Sequence, residues 1–433
     1  MSLDSYSVKE IRDICKINDS SYSKKDNWNF FNYLDTKNIT KGEINEIKYL
    51  DPSIEKIPSR AKRKVNIDDI IISTVRPNQE HYGMIKYEID NFLVSTGFTT
   101  LTVDKSKAIP EFIYYYITQN HITEALQTIA EQSTTSYPSI RPSDIGDIII
   151  NLPSLEIQKG ISNILSNIEN KIEINKKINR NLFKLSRYLY KEFYMDKVES
   201  YDKKEYVTLD DVTSKFATGL NPRKNFVLGE GDNYYVTIKN MANNSIVLDD
   251  KCASITDEAL VKINKRSDLQ VGDLLFSGIG TIGRVHLIDE KPTNWNISES
   301  VFTMRPNELI SSEFLFIMLL SQEIQEYAKS LASGSVQKGI RMRDLKAFEF
   351  ILPNDEDKSS LDSLLIPIIA DIKSNEKEIK KLTKLRDTLL PKLMSGEIDV
   401  SKINCDFENI AHFMIFSFKK IIGYLGLYFI RFL

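Results

Sequence analysis

The pattern of apolar positions predicts one long helix in each half of the chain. After Pro153, apolar residues and one asparagine recur every seven residues at Ile161, Ile168, Asn175, Leu182 and Leu189, and a second set widens the stripe at Leu165, Ile172, Ile178 and Leu185. The series returns at an offset of 200 as Leu361, Ile368, Asn375, Leu382 and Leu389, with Leu365, Ile372 and Ile379 beside it. A seven-residue repeat is typical of helices that pair along a coiled-coil seam. At 1.5 Å per residue the stretch from 161 to 189 would extend roughly 43 Å.

The 150 or so residues before each helix have a different pattern. Short apolar runs such as 70–75 and 148–152 predict β-strands, and one stretch near 111–130 predicts a helix. Each long helix is therefore expected to follow a globular α+β domain.

The two halves match each other in order along the chain. Phe30-Phe31 corresponds to Tyr234-Tyr235, the strand-like run at 69–73 to that at 273–277, and Leu152-Pro153 to Leu352-Pro353, with offsets between 200 and 204 throughout. Matches whose offsets stay within four residues over such a length predict a tandem duplication of one module. A duplicated module at a fixed separation is also the geometry that two half-sites on a DNA duplex require.

Each seam carries one asparagine at its midpoint, where an apolar residue would pack better. If the two helices run antiparallel and centred, Asn175 meets Asn375, and the buried pair would fix the register of the helices. The alternative is that both asparagines turn to solvent at the edge of the stripe.

Composition narrows the class of protein. The chain has 42% hydrophobic and 27% charged residues, as a packed protein does, and its 17 glycines and 13 prolines are too few for long flexible linkers. Three widely spaced cysteines and the lack of a cleavable signal predict a cytoplasmic protein. Four histidines without CxxC or HExxH spacing predict no metal site. With a net charge of -3, any DNA-binding surface must be a local patch.

Three ungapped runs carry a family resemblance: LPSLEIQKGI at 152–161, KIEINKKIN at 171–179, and LRDTLLPKLMSGEI at 385–398. With two globular domains, each followed by a long helix, the chain closely resembles the specificity subunit of Type I restriction-modification enzymes over about residues 1–400. The resemblance implies an α+β fold in which two pseudo-repeated target-recognition domains are separated by two long helices that form an antiparallel coiled coil. The expected boundaries are recognition domain 1 at 1–152, the central spacer helix at 153–200, recognition domain 2 at 201–352, the distal spacer helix at 353–400 and an atypical apolar tail at 401–433.

In that family each globular domain reads one half of a split duplex target, two methyltransferase subunits dock on the helical spacer, and restriction-translocase subunits join them. The resemblance therefore implies a non-catalytic DNA-binding adapter. S-adenosylmethionine, ATP and Mg are then expected on partner subunits, with no cofactor on this chain and no membrane partner.

The residues themselves also argue against chemistry on this chain. The glycine-rich run 278–285 matches a nucleotide-binding pattern, but it lacks the helix or the downstream kinase loop that such a site needs, so a tight hairpin is the preferred interpretation. Asn221-Pro222-Arg223-Lys224 lacks the second proline and the aromatic residue of a methyltransferase clamp, and no GxxxxGK[ST] loop occurs. The acidic pairs Asp68-Asp69 and Asp210-Asp211 are interpreted as turn and cap residues.

Two loops recur at matched positions and are the candidate DNA-reading regions. One precedes the last strand of each domain, and in related domains such a loop lies near DNA. The other is the preceding hairpin. The candidate base-reading residues are Arg76, Asn78, Gln79, Thr134, Thr135, Tyr137 and Arg141 in the first half, and Thr281, Arg284, Ser335, Gln337, Lys338, Arg341 and Arg343 in the second. The densest basic cluster suits phosphate contacts: Arg60, Lys62, Arg63 and Lys64. Solvated turns without DNA contact are the alternative for each loop.

Three other functions stay open from the sequence. The same adapter could serve a methylation-only or a fused restriction system. A protein of a different class, a coiled-coil scaffold that binds protein and no DNA, would share the helical pattern, and a glycine-loop kinase is the third alternative. The apolar segment from Asn409 onward has no counterpart in the repeat and could complete the core of the first domain, bind a partner or result from translation beyond the ordinary end of the gene.

Overall fold

A computed structural model describes residues 6–132, 138–242, 244–332 and 339–400. The predicted tail at 401–433 lies outside the described residues.

The first globular region is built from short strands and helices, as the mixed apolar pattern predicts. Its elements are β1 (Ser7–Glu10), α1 (Ile11–Ile14), β2 (Cys15–Ile17), β3 (Phe31–Leu34), β4 (Ile39–Thr40), β5 (Glu43–Ile44), β6 (Lys48–Leu50), β7 (Ala61–Lys64), β8 (Ile70–Ser73), β9 (Tyr82–Met84), β10 (Phe92–Ser95), β11 (Phe98–Val103), α2 (Pro110–Ile117), α3 (Asn120–Glu131), α4 (Pro142–Gly146) and β12 (Ile149–Leu152).

A long helix, α5 (Leu155–Tyr190), follows, and it continues through a π-helical turn (Lys191–Met195) into α6 (Asp196–Val198). The second globular region then contains β13 (Tyr206–Thr208), β14 (Thr213–Thr218), β15 (Asn233–Val236), β16 (Met241–Ala242), β17 (Ser245–Ile246), β18 (Ala253–Ile255), α7 (Asp257–Ser267), β19 (Leu274–Ser277), β20 (Val285–Leu287), β21 (Trp295–Ile297), β22 (Val301–Pro306), α8 (Ser312–Leu319), α9 (Gln322–Ser330), α10 (Met342–Lys346) and β23 (Glu349–Ile351). The second long helix, α11 (Asp355–Met394), comes last.

The two globular regions share most of their sheet topology, although the sheet β6-β3-β10-β7 of the first has four strands and its counterpart β18-β15-β21 has three. The order β2-β11-β8-β9 in the first matches β14-β22-β19-β20 in the second, and the pair β1-β12 matches β13-β23. Each region also contains a parallel strand pairing, β3 with β10 in the first and β15 with β21 in the second. The predicted duplication is therefore confirmed at the level of strand pairing.

The helix predicted near 111–130 is two helices. The hydroxyl of Thr118 donates to the carbonyl of Tyr114 at 2.8 Å, and Gln119 has an extended backbone before α3 begins. Hydroxyl side chains that bond to the backbone compete with helix continuation, which accounts for the break.

By its internal contacts the chain divides into two compact units. The first contains the described residues up to Glu173 together with those from Ile379 onward, and the second contains Ile174–Glu378. Each unit combines one globular region with one half of each long helix, and the domain boundaries expected from the sequence stay a prediction.

In the first unit the core joins the globular region to the helices. Ile161, Leu165 and Leu393 are buried in one cluster with Ile113 and Leu126. Gln158, buried in the first turns of α5, accepts from the backbone N–H of Ile109 at 2.8 Å and donates to the carbonyl of Pro153 at 2.8 Å. The apolar stripe therefore packs against the domain as well as along the seam.

The second unit has the same construction. Leu182, Leu365 and Ile372 are buried in one cluster with Phe314 and Phe316 of α8. Residues that follow α5 bond to the start of α11. Lys197 and the hydroxyl of Tyr201 both donate to the carboxylate of Asp357, at 2.8 Å and 2.7 Å.

The paired helical segments are antiparallel within each unit. In the first unit Arg386 contacts Glu169 at 3.7 Å, while Gly160 lies beside Val400. In the second unit Asn375 donates to Asn179 at 2.8 Å and Asn175 donates to Glu378 at 2.8 Å. In both units, residues later in α5 thus contact residues earlier in the second helical segment.

The predicted pairing of Asn175 with Asn375 is wrong by about one helical turn. Asn375 faces Asn179, which also donates to the carbonyl of Ile372 at 3.1 Å. Side chains of a coiled coil fit between partner side chains rather than opposite them, so residues equivalent in the repeat do not meet head on. The alternative of two solvated asparagines is also wrong, because Asn175 is fully buried.

Candidate nucleic-acid interface

In the first unit the two candidate DNA-reading regions are adjacent, although about 60 residues of chain separate them. The connection between β8 and β9 contains a 3-10 turn, Pro77–Gln79. The backbone at the start of this connection is hydrogen-bonded to the end of the other loop. Arg76 N–H donates to the carbonyl of Pro138 at 2.9 Å, and Ile140 N–H donates to the carbonyl of Thr74 at 2.9 Å. Val75 and Ser139 form the bridge between them.

The second unit repeats this junction at equivalent positions. Ile340 N–H donates to the carbonyl of Gly278 at 2.9 Å, and Ile279 forms a bridge with Gly339. Each unit therefore presents one composite surface, built from a β-hairpin and the described residues just before the short helix that leads into its last strand.

The glycine-rich run is a hairpin between β19 and β20 and leads into no helix. The Ser277 hydroxyl closes it by donating to the carbonyl of Thr281 at 2.6 Å and accepting from Arg284 N–H at 2.8 Å. Gly283 has φ +90, in the left-handed region that favours glycine, and a Cβ there would displace the side-chain amide of Gln325. This supports the hairpin interpretation over nucleotide binding.

Exposed arginines stand at the same position in both units. Arg141 is the N-cap of α4 and Arg341 is the N-cap of α10, and both are exposed. Arg343, with its side chain 81% exposed, lies on the first turn of α10 and contacts Asp344 at 3.3 Å. In the first unit the hairpin adds Arg76, Asn78 and Gln79, all exposed, and in the second it adds the exposed Thr281.

Several predicted base-reading residues lie outside the described residues: Thr134, Thr135, Tyr137, Ser335, Gln337 and Lys338. Their assignment to DNA stays a prediction.

Arg284 has a structural role that the sequence did not indicate. Its Nη1 donates to the carbonyls of Ile238 and Met241 at 2.7 Å and 2.5 Å, which joins the hairpin to the turn before β16. The side chain is half-buried. Any contact of Arg284 with DNA would have to use its remaining N–H groups.

The predicted phosphate cluster does not form a single exposed patch. Arg63 donates through Nε to the carbonyl of Phe98 at 3.0 Å, and partial burial lowers its guanidinium pKa. Lys64 contacts Asp26 at 2.5 Å and lies over the ring of Trp28. Arg60 and Lys62 are exposed. Because strand side chains alternate in direction and β7 bends at a bulge, a basic run in sequence is divided between the fold and the solvent.

The acidic pairs have the expected structural roles. Asp69 is buried and accepts from the Asn66 N–H and the Thr102 hydroxyl at 2.8 Å and 2.6 Å, while Asp211 accepts from the Thr208 N–H at 2.8 Å. Burial raises the pKa of Asp69. The described residues contain no group of His, Cys, Asp or Glu side chains arranged to hold a metal ion.

Two glutamines that support the hairpins were missed in the sequence. In the first unit Gln127 of α3 accepts from the Asn78 N–H at 3.1 Å. In the second, Gln325 of α9 donates to the carbonyl of Gly283 at 2.9 Å. They lie on the corresponding helices α3 and α9 but stand 198 residues apart, outside the offset of 200 to 204 that relates the two halves, so the repeat does not mark them as a matched pair.

Comparison with known proteins assigns the family. The model of the Type I restriction modification DNA specificity domain matches residues 4–183 and 201–384. The chain belongs to this family. The two matches cover both halves, in agreement with the duplicated topology.

Relatives match over most of their length. The chain is 24% identical over 437 residues to the Type I restriction enzyme HindI specificity subunit of Haemophilus influenzae, covering 83% of this chain and 94% of the relative. It is 24% identical over 340 residues to the MjaIX specificity subunit of Methanocaldococcus jannaschii, covering 74% and 76%. The crystal structure of a Type I restriction-modification S subunit from M. genitalium aligns with a TM-score of 0.54 at 17% identity, covering 90% of this chain and 96% of that one, and it supports the fold.

Within the described ranges of the chain, every helix is too short or too polar to cross a membrane.

Proposed function

We propose that this chain is the DNA-reading specificity subunit of a Type I restriction-modification complex, in which each unit reads one half of a bipartite duplex target. The observation that carries the proposal is the composite surface of hairpin and loop, which has a matching backbone hydrogen bond and a matching β-bridge in both units and bears an exposed arginine at equivalent positions, Arg141 and Arg341. Arginine is the residue that most often reads guanine edges in the major groove.

The proposal also assigns the partners. Two modification subunits would dock on the long helices and restriction-translocase subunits would join them, so that S-adenosylmethionine, ATP and Mg are held by partner subunits in the cytoplasm. This chain would contribute recognition and no catalytic group. Copurification with or without a large ATPase distinguishes a full restriction complex from a methylation-only or fused system.

The test first needs the target. Methylation-aware sequencing of the host genome with and without this gene gives both half-sites. Binding of the full chain, in the form in which it purifies, is then measured on the target duplex and on duplexes with either half-site scrambled.

Charge reversal at one arginine should then affect one half-site only. We expect Arg341→Glu to weaken target binding roughly 5- to 150-fold, the range for one bidentate base contact, and to remove discrimination at one half-site. Arg141→Glu should do the same at the other half-site. Arg266→Glu, an exposed arginine on α7, is the matched control and should leave both discriminations intact.

An equal loss on random duplex would mean that the arginine contacts phosphate rather than a base. Wild-type protein that shows no salt-dependent affinity for any duplex would contradict the proposal and favour a protein-binding scaffold.

A further inference from the structure

A row of positive charge lies along the solvent side of α5 in the second unit and extends to the first residue of the π-helical turn that follows. It consists of Lys177, Arg180, Lys184, Arg187 and Lys191, all exposed, and we call it the basic stripe. Spacings of three and four residues place the five within an arc of about 80° on an α-helix of 3.6 residues per turn. The buried side chains Leu182, Ser186 and Leu189 occupy the opposite face.

The basic stripe lies in a segment without acidic residues. Residues 174–191 contain six lysines and arginines and no aspartate or glutamate. None of the five stripe residues forms an ion pair with another described residue. The chain as a whole has a net charge of -3, so this segment is a local concentration of positive charge. Its electrostatic potential attracts a polyanion.

The repeat did not impose this arrangement. The counterpart segment at 374–391 contains Glu376, Glu378 and Asp387 among its basic residues. Lys377, the counterpart of Lys177, is paired with Asp289 and Glu290 at 2.9 Å and 2.8 Å. The uncompensated stripe therefore belongs to α5 and is not a general property of the duplicated helix.

We propose that the basic stripe binds the sugar-phosphate backbone of duplex DNA without regard to base sequence. The inference rests on the proposed function and adds a second surface to it. From Lys177 to Lys191 the stripe is about 21 Å long at 1.5 Å per residue, which corresponds to about six steps of 3.4 Å along one strand. Long basic side chains on a regular helix suit a regular row of phosphates.

The composition of the stripe favours DNA over an acidic protein surface. Protein interfaces are anchored by buried aromatic or apolar side chains and are depleted in lysine. Three of the five stripe residues are lysines. Among the described residues 174–191, the large exposed hydrophobic side chain is Tyr188, which lies just outside the arc.

The test compares two triple variants of the full chain. One is Lys177→Gln with Lys184→Gln and Lys191→Gln. The matched control is Lys224→Gln with Lys251→Gln and Lys265→Gln, three exposed lysines of the second unit that lie outside α5. Both triples change the net charge equally and alter only exposed side chains, so circular dichroism melting should be unchanged in both.

The measurement is the affinity for a labelled random-sequence duplex of about 30 base pairs, taken by fluorescence anisotropy over a series of KCl concentrations. The affinity falls as salt rises, and each lost phosphate contact makes the plot of log K against log salt shallower by about 0.9. We therefore expect the magnitude of the slope to decrease by about 2 to 3 in the stripe triple and to stay unchanged in the control triple. The loss should be equal on the target duplex and on random duplex.

Each other outcome overturns the inference. An unchanged slope in the stripe triple means that the stripe does not touch DNA, and weaker retention of a copurifying subunit would then assign it to an acidic protein. An equal decrease in both triples means that only net charge matters. If the wild-type chain binds no duplex at any salt concentration, the proposed function itself fails.

Discussion

His286 is a buried titratable residue in the second unit. Its ring lies on β20, and Nδ1 is 2.8 Å from the carbonyl oxygen of Asn244, so this nitrogen donates. Burial, together with the positive charge of Lys373, lowers the pKa of His286 to about 4, against a smaller opposing effect of Asp289. Lys373 itself is buried and paired with Glu376 at 3.1 Å. The ring is therefore neutral in the folded protein near neutral pH.

This neutrality predicts a pH dependence of stability. Between pH 6.5 and about 4 the unfolded chain binds a proton at His286 that the folded chain excludes, so the free energy of unfolding should fall as pH decreases through this window. The loss attributable to His286 is on the order of 1 to 3 kcal/mol. In urea titrations at pH 7, 6 and 5, His286→Gln should show a weaker decrease than wild type, and equal decreases would contradict the assignment.

At the residue scale the sequence indicated which side chains are charged or polar, but it did not indicate their hydrogen-bond partners. His286 stood out only as one of four histidines, and Arg284 as one basic residue of a glycine-rich hairpin. The partners of both are backbone carbonyls about 40 residues away, at Asn244 for His286 and at Ile238 and Met241 for Arg284. No local pattern encodes such a contact.

The helical elements were predicted well in extent and less well in register. Both long helices begin two residues after a proline, at Leu155 and Asp355, as the apolar series indicated. The seven-residue period specifies which face of a helix is buried, but it does not specify which residue of a second helix lies opposite. That choice depends on how side chains fit between one another along the whole contact.

The observed register can be measured directly. Since Asn375 donates to Asn179 at 2.8 Å, a double-mutant cycle of Asn179→Ala and Asn375→Ala should give a coupling energy of about 0.5 to 1.5 kcal/mol in urea unfolding. The control cycle of Asn175→Ala and Asn375→Ala should give coupling near zero, because Asn175 donates to Glu378 instead. Coupling in the control cycle and none in the first would contradict the observed register and support the centred pairing of Asn175 with Asn375.

At the scale of the whole molecule, α11 contributes to the cores of both units. Leu361, Leu365 and Ile368 are buried in the second unit, and Leu393 and Met394 are buried in the first. Each such leucine is worth about 2 to 5 kcal/mol on truncation to alanine in a packed core, which is comparable with the stability of a whole domain.

A chain that ends at residue 352 should therefore fail to fold, although it would contain both globular regions. We expect it to be largely insoluble, or to bind a hydrophobic dye and lack a cooperative melting transition, because both cores lose helix side chains at once. The full chain, expressed in parallel, is the control. A soluble 1–352 fragment with a sharp melt would show that the globular regions are independent of the distal helix.

The sequence alone established the duplication, the α+β class, the two long helices and the places of the hairpins and loops. These features depend on local periodicity, on turn residues and on a nearly constant offset between the halves. The tertiary structure alone decided the rest. It joined each hairpin to its loop, shifted the asparagine partners by one turn, divided each long helix between two cores, and gave Arg63, Lys64 and Arg284 partners within the fold. These outcomes depend on which distant segments bury surface together, and side-chain packing between such segments leaves no spacing in the sequence from which they could be inferred.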